Sequence, residues 1–134
     1  MRIGVPKEIK PQENRIGLTP DSVKTLVSEG HEVLVENNGG FEAGFDNDQY
    51  KNAGAKIIEK ATDIFNDAEI IVKVKEPQKV EVEMIKENQI VYTYLHLAAA
   101  KELTEGLVKS KSINIAYETI TDDNGRLPLL APMS

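Results

Sequence analysis

Short β-branched runs alternate with helical patterns along this chain, and that alternation limits its possible folds more than any other feature. The strand candidates are Arg2–Pro6, Glu32–Glu36, Lys56–Ile58, Glu69–Val74, Ile90–Tyr94 and Ile113–Ala116. Strands separated by helices favour a parallel sheet that is covered on both faces. Right-handed crossovers then predict an α/β fold with an open, doubly wound, mostly parallel sheet, whose ligands bind beyond the carboxyl ends of the strands.

The strongest helix signal begins at Thr19-Pro20-Asp21. Threonine accepts hydrogen bonds from free amides, proline fits the first turn and aspartate favours the positive end of the helix dipole. Gly30 is expected to end this helix in a left-handed conformation. The other helix candidates are about Asp46–Ala53, ending at Gly54, then Thr62–Phe65, Lys79–Glu87 and Ala99–Lys109, the last weakened by Gly106.

Composition narrows the classes of protein. A chain of 134 residues with 40% hydrophobic and 28% charged residues fits one globular domain. Neither a membrane-spanning stretch nor an export segment is visible, so we expect a cytoplasmic protein. The lack of cysteine excludes disulfides, thiolate metal sites and cysteine nucleophiles. A net charge of −6 without a basic stripe argues against nucleic acid as a partner.

The end of the sequence leaves two interpretations open. A turn signal at Thr121–Gly125 precedes the apolar run Leu127–Met133. Either the polypeptide continues past a domain junction, or this run is a last edge strand.

His96 is the candidate for acid/base chemistry. It follows the buried-type strand Ile90–Tyr94, at the end where doubly wound sheets bind ligands. Its ordinary pKa lies near neutrality, which suits proton transfer. The alternative is a structural histidine at a strand–helix junction. His31, at a turn between a helix and a strand, is assigned no function.

Two cations are candidates for binding a small carboxylate. Lys75 follows the strand Glu69–Val74, where it can hold a carboxylate or polarise a carbonyl; the alternative is a solvated charge paired with Glu76. Lys73 shares its side of the strand, so one or both lysines are expected to project from the sheet. Arg15 precedes the strongest helix and offers a planar fork that matches a carboxylate, although a surface arginine is the simpler interpretation.

Other motifs are missing or weak. Gly39-Gly40 with Gly44 lacks the spacing of a dinucleotide fingerprint and is interpreted as a turn-rich loop. The sequence contains no paired-histidine metal motif, nucleophile elbow or phosphate loop. The residues themselves therefore lead to an α/β domain with a cationic, histidine-containing site for a small carboxylate, and they do not name a reaction.

Several segments together resemble the N-terminal domain of alanine dehydrogenases, in order and at family spacing. They are Ile3–Glu8, Glu13–Pro20, Glu36–Gly40, Lys73–Pro77 and Tyr92–Ala99. The α-subunit of pyridine nucleotide transhydrogenase shares the opening and the fold but generally lacks a segment like Tyr94-Leu95-His96-Leu97-Ala98. That segment therefore favours the dehydrogenase.

The resemblance implies a flavodoxin-like catalytic domain and a reaction. The residues matching Arg15 and Lys75 hold the carboxylate and keto oxygen of pyruvate, and the residue matching His96 is the acid/base. L-alanine would lose hydride from its Cα to NAD, and water would then attack the imine to give pyruvate and ammonia.

The resemblance also implies that residues 1–134 are a partial domain. Family members continue into a Rossmann domain that binds NAD, return to complete the first domain, and usually form homohexamers. Residues matching Met133 and Ser134 lie at the hinge and face the cofactor. The isolated 134 residues are therefore expected to be inactive. Two alternatives are a stand-alone module that binds small carboxylates and the related transhydrogenase domain.

Overall fold

A computed structural model of the chain describes residues 1–97 and 100–126. Within these residues the strands are β1 (Arg2–Val5), β2 (Glu32–Glu36), β3 (Lys56–Ile58), β4 (Ile70–Val72), β5 (Ile90–Thr93) and β6 (Ile113–Ala116). The helices are α1 (Pro20–Ser28), α2 (Asn47–Asn52), α3 (Ala61–Asp67), α4 (Lys79–Val82) and α5 (Lys101–Ser110). The apolar run Leu127–Met133 and the predicted helix start at Ala99 lie outside the described residues.

The strands form one sheet in the order β3-β2-β1-β4-β5-β6, and every pairing is parallel. The predicted doubly wound fold is therefore confirmed. The run β2-β1-β4-β5-β6 has the flavodoxin-like arrangement, to which β3 adds an edge strand. The direction of winding reverses between β1 and β4, so the switch point where such sheets bind ligands lies at the carboxyl ends of these two strands.

Two apolar cores lie on opposite faces of the sheet. One contains Val23 of α1 and Tyr50 of α2, and the other contains Ile64 of α3 and Leu107 of α5. Strand alternation divides the residues, since Ile3 and Val5 face the first core while Gly4 faces α3. A Cβ on Gly4 would lie 2.6 Å from Ile64 Cγ2. The missing side chain thus lets α3 approach β1.

The first face is incompletely covered at the β6 edge. Ile113 and Ile115 are 51% and 39% exposed, on the side of β6 opposite Ala116, which packs with the second core. Their partners in the register are Ile90 and Tyr92 of β5. Among residues 1–97 and 100–126, an apolar strip therefore remains open on a sheet type whose faces are normally both buried.

Most helix boundaries match the sequence analysis, with α4 as the main exception. Thr19 caps α1 and Asp46 caps α2 through side-chain bonds to backbone amides, and Gly30 and Gly54 adopt the expected positive φ. The predicted helix Lys79–Glu87 ends instead at Val82. After it, tighter bonds three residues apart join Met84 N–H to Glu81 and Ile85 N–H to Val82, as the chain turns back toward β5.

Candidate active site

The switch point is built around a buried lysine between two carboxylates. Lys73 Nζ lies 3.0 Å from Glu8 Oε1 and 3.2 Å from Glu81 Oε2, and the three side chains are 1–2% exposed. Glu8 follows β1, Lys73 follows β4 and Glu81 belongs to α4, so the cluster ties three elements together. The expectation that one or both lysines project from the sheet therefore does not hold for Lys73, which is buried. Burial raises the pKa of Glu81, while the charge of Lys73 opposes that shift.

Lys75 is held by its backbone on both sides. Its N–H donates to Glu8 Oε1 at 3.0 Å, and its carbonyl accepts from Thr93 Oγ1 at 2.8 Å. Its ammonium lies 5.5 Å from the centre of the Tyr94 ring, a cation–π distance. The alternative pairing with Glu76 is not what the structure has, because Glu76 Oε1 pairs with Lys10. The Lys75 side chain thus lies against an aromatic ring beyond β4.

His96 contacts the same ring. Its imidazole stacks on Tyr94 with ring centres 5.8 Å apart and planes 15° from parallel. Lys75, Tyr94 and His96 consequently form one group beyond the carboxyl ends of β4 and β5. His96 is exposed, and its φ of 52° is in the left-handed region. The turn after β6 supplies Glu118, whose carboxylate accepts from the His96 N–H at 2.9 Å.

Arg15 lies in the loop between β1 and α1, and its guanidinium is engaged by a carboxylate of the same loop. Nε and Nη2 donate to the two oxygens of Glu13 at 2.9 and 2.7 Å. This bonding holds the pKa of Glu13 below its usual value, and the charge of Lys75 lowers it further. Arg15 and Lys75 therefore act on the same carboxylate.

An apolar cavity of about 310 Å³ adjoins Arg15. It is lined by Arg15, Ile16, Gly17, Thr19, Ala43, Phe45, Val74 and Tyr117. Among these described lining residues, Arg15 alone carries a charge. Gly17 brings the loop against the sheet, since a Cβ there would lie 2.5 Å from the carbonyl oxygen of Val72. The cavity suits a small molecule with one anionic group and a short apolar part.

A larger cavity of about 860 Å³ lies between α4 and α5. None of the predicted site residues in the described part of the chain lines it. Within the described residues, no group of three or more His, Cys, Asp or Glu side chains is arranged to hold a metal ion. In that same part of the chain, no helix is both long and apolar enough to span a bilayer.

The sequence marked Arg15, Lys75 and His96 as candidates but not the groups that bond their backbone. Glu8, Glu13 and Glu118 each accept a backbone N–H of a residue near or in the candidate site. Tyr94 could have been recognised from the sequence, because it is an aromatic residue at the end of a strand and lies two positions before His96. Glu118 could not, since 22 residues separate it from His96. The predicted cofactor neighbours Met133 and Ser134 lie outside the described residues.

The fold and site define a class: a doubly wound α/β domain with an arginine-lined cavity near its switch point and a separate group of Lys75, Tyr94 and His96 beyond β4 and β5, none of which lines that cavity. Comparison with known proteins then gives the family. A family model described as "Alanine dehydrogenase/PNT, N-terminal domain" matches residues 4–134. The chain belongs to this family.

Relatives with similar sequences carry the name alanine dehydrogenase. Those of Staphylococcus epidermidis and Methanococcus maripaludis are 51% and 48% identical over the whole chain. A solved L-alanine dehydrogenase has a TM-score of 0.96 at 51% identity, with 99% of this chain and 37% of that one covered. A transhydrogenase from Sinorhizobium meliloti has a TM-score of 0.84 at 26% identity, covering 90% of this chain and 36% of that one. The chain spans 36% of the length of the two named sequence relatives.

Proposed function

We propose that residues 1–134 are the substrate-binding domain of an NAD-dependent alanine dehydrogenase, which interconverts L-alanine with pyruvate and ammonia. The observation that carries this proposal is the group formed by Lys75, Tyr94 and His96 beyond β4 and β5. The charge of Lys75 also acts on Glu13, the carboxylate that Arg15 bonds at the edge of its cavity. The high identity to proteins named alanine dehydrogenase supports it over the transhydrogenase reading, whose structural relative is only 26% identical.

Each site residue has a role that its chemistry suits. Arg15 binds the carboxylate of alanine or pyruvate through two parallel hydrogen bonds. Lys75 stabilises the negative charge that develops on the keto oxygen of pyruvate. A fixed cation stabilises such charge most strongly when bulk water is absent. His96 takes up and returns the proton at the substrate, a role for which imidazole is the side chain most often used. The apolar lining of the cavity suits the methyl group.

The described residues do not by themselves form a site for NAD. The loop between β1 and α1 lacks the glycine spacing that cradles a pyrophosphate. NAD accepts the hydride from the substrate carbon when it is bound. We place its binding domain outside residues 1–134 and Met133 and Ser134 beside it, as the family resemblance implies. In the full-length protein, the part of the chain that returns from the NAD domain would cover the apolar strip at Ile113 and Ile115. The full-length protein would be cytoplasmic and, as the family resemblance also implies, a homohexamer.

The test is alanine-dependent NAD reduction by the full-length protein. Arg15→Ala should raise the KM for alanine by about 100-fold, the equivalent of about 3 kcal/mol for a lost pair of charged hydrogen bonds. His96→Gln should instead lower kcat by about 100-fold or more. Lys10→Ala removes a cation that pairs with Glu76, and it should change neither constant appreciably.

Two outcomes would contradict this proposal. Full-length protein that transfers hydride between two nicotinamide cofactors, but not from alanine, belongs with the transhydrogenase. Protein that binds pyruvate at Arg15 and reduces no NAD is a binding module. Purified residues 1–134 should show no alanine-dependent NAD reduction.

A further inference from the structure

Glu118 reaches back from the turn after β6 to the end of β5. Its Oε1 accepts from the Leu95 N–H at 3.1 Å and from the His96 N–H at 2.9 Å, and its Oε2 lies 3.2 Å from the Leu95 nitrogen. These two amides come just after Tyr94, whose N–H still donates to Val74. The Glu118 carboxylate therefore accepts hydrogen bonds from the first two amides beyond the last backbone bond between the ends of β4 and β5.

His96 is in a conformation that needs such support. Its φ of 52° is unfavourable for a residue with a Cβ and persists where surrounding contacts impose it. Leu95 is 1% exposed, so its amide has no access to solvent as a replacement for the carboxylate. One glutamate thus satisfies a buried amide and fixes the backbone of the residue that follows.

The turn that carries Glu118 is itself anchored to the sheet. The Tyr117 hydroxyl donates to the Lys73 carbonyl at 2.6 Å, and its ring meets Tyr92 edge to face at 4.3 Å. Thr119 Oγ1 donates to the Ala116 carbonyl at 3.1 Å. Bonds from the residues on both sides of Glu118 therefore fix its backbone, which restricts where its carboxylate can lie.

We propose that Glu118 is a positioning residue, which sets the backbone of His96 and through it the place of the imidazole beside Tyr94 and Lys75. The catalytic part of this inference rests on the proposed function of His96. The carboxylate acts by accepting backbone hydrogen bonds. It does not act by placing a charge on the imidazole.

Two substitutions separate these effects in the full-length protein. Glu118→Gln removes the charge but keeps an oxygen in the place of Oε1, which accepts from both amides, so kcat should stay within about threefold of wild type. Glu118→Ala removes the acceptor, and a displaced imidazole should lower kcat by about 100-fold. The KM for alanine should change little in either variant, since Arg15 is untouched. Glu105→Gln, an exposed carboxylate of α5, is the charge-matched control.

Hydrogen exchange at the Leu95 and His96 amides gives a second readout that does not depend on the reaction. Protection should be lost in Glu118→Ala and retained in Glu118→Gln. If the full-length wild-type protein fails to oxidise alanine, the proposed function fails and exchange alone decides this inference. Unchanged protection or unchanged kcat in Glu118→Ala would overturn it. So would an equal loss of kcat in the Gln and Ala variants, because that result would assign the effect to charge.

Discussion

Glu13 occupies one edge of the Arg15 guanidinium and leaves another edge for a ligand. The bonds from Nε and Nη2 use the side edge, so Nη1 and the second N–H of Nη2 remain to hold a second carboxylate in parallel. Arg15 is 52% exposed on its side chain, whereas Glu13 is 7% exposed. A buried carboxylate thus orients an accessible cation.

Glu13→Ala should therefore raise the KM for alanine by about tenfold with kcat within about twofold, because a freely rotating guanidinium loses entropy when it binds. Steady-state kinetics of the full-length protein measures both constants. Glu87→Gln, at an exposed carboxylate, serves as the control. A lower KM in Glu13→Ala would mean that Glu13 competes with the substrate for Arg15, which contradicts the orienting role.

Individual residues show where sequence reasoning reaches its limit. The types and strand-end positions of Arg15, Lys75 and His96 marked them as candidates, since their chemistry is local to each residue. The support from Glu13 was two positions away and detectable in principle. The bond from Glu118 to His96 was not, because it depends on how far the turn after β6 folds back over β5.

At the scale of elements, two glycines allow close packing for different reasons. Gly17 presses the loop between β1 and α1 against the backbone of β4, and a Cβ there would lie 2.5 Å from Val72 O and 2.9 Å from Val72 C. Gly106 lies in α5, where a Cβ would lie 2.8 Å from Cγ1 of Val82 in α4. Backbone atoms of a sheet cannot move aside as a side-chain methyl group can.

Gly17→Ala should therefore lower the free energy of unfolding by about 2 kcal/mol, through overpacking against the sheet. Gly106→Ala is the matched comparison. Its gain of about 1 kcal/mol in helix propensity offsets the contact with Val82, so its stability should stay within about 1 kcal/mol of wild type. Urea unfolding measures both. Equal losses in the two variants would contradict the distinction between backbone and side-chain contacts.

Element types were predictable because the apolar period and the caps are local, as Thr19 and Asp46 illustrate. The early end of α4 at Val82 was not. Glu81 of this helix turns its side chain into the buried cluster with Lys73, and Gln89 donates to the Phe65 and Ala68 carbonyls across the second core. Those tertiary bonds decide where the helix gives way to the turn.

At the scale of the whole molecule, the cluster of Glu8, Lys73 and Glu81 joins the two halves of the doubly wound sheet. The sequence predicted that the carboxyl ends of the strands would form the site, but the strand order that brings Glu8 to Lys73 required the structure. Glu8 also accepts from the amides of Val74 and Lys75. Glu8→Gln should therefore destabilise the fold by about 3 kcal/mol. It breaks the buried ion pair with Lys73 at the residue that also bonds two backbone amides.

Glu81 differs from Glu8, because burial raises its pKa in the folded protein despite the nearby charge of Lys73. The unfolded chain releases this proton near the ordinary value of about 4.3, whereas the folded chain keeps it to higher pH. The contribution of Glu81 to stability is therefore complete below that value and declines as the pH rises through the folded pKa.

Glu81→Gln removes this decline and leaves Lys73 paired with Glu8. Its free energy of unfolding minus that of wild type should increase as the pH rises from 4 to 8. Urea unfolding of both proteins across that range tests the prediction, and Glu8→Gln provides the comparison at each pH. A difference between Glu81→Gln and wild type that is constant with pH, or that falls as pH rises, would show that folding does not raise the pKa of Glu81.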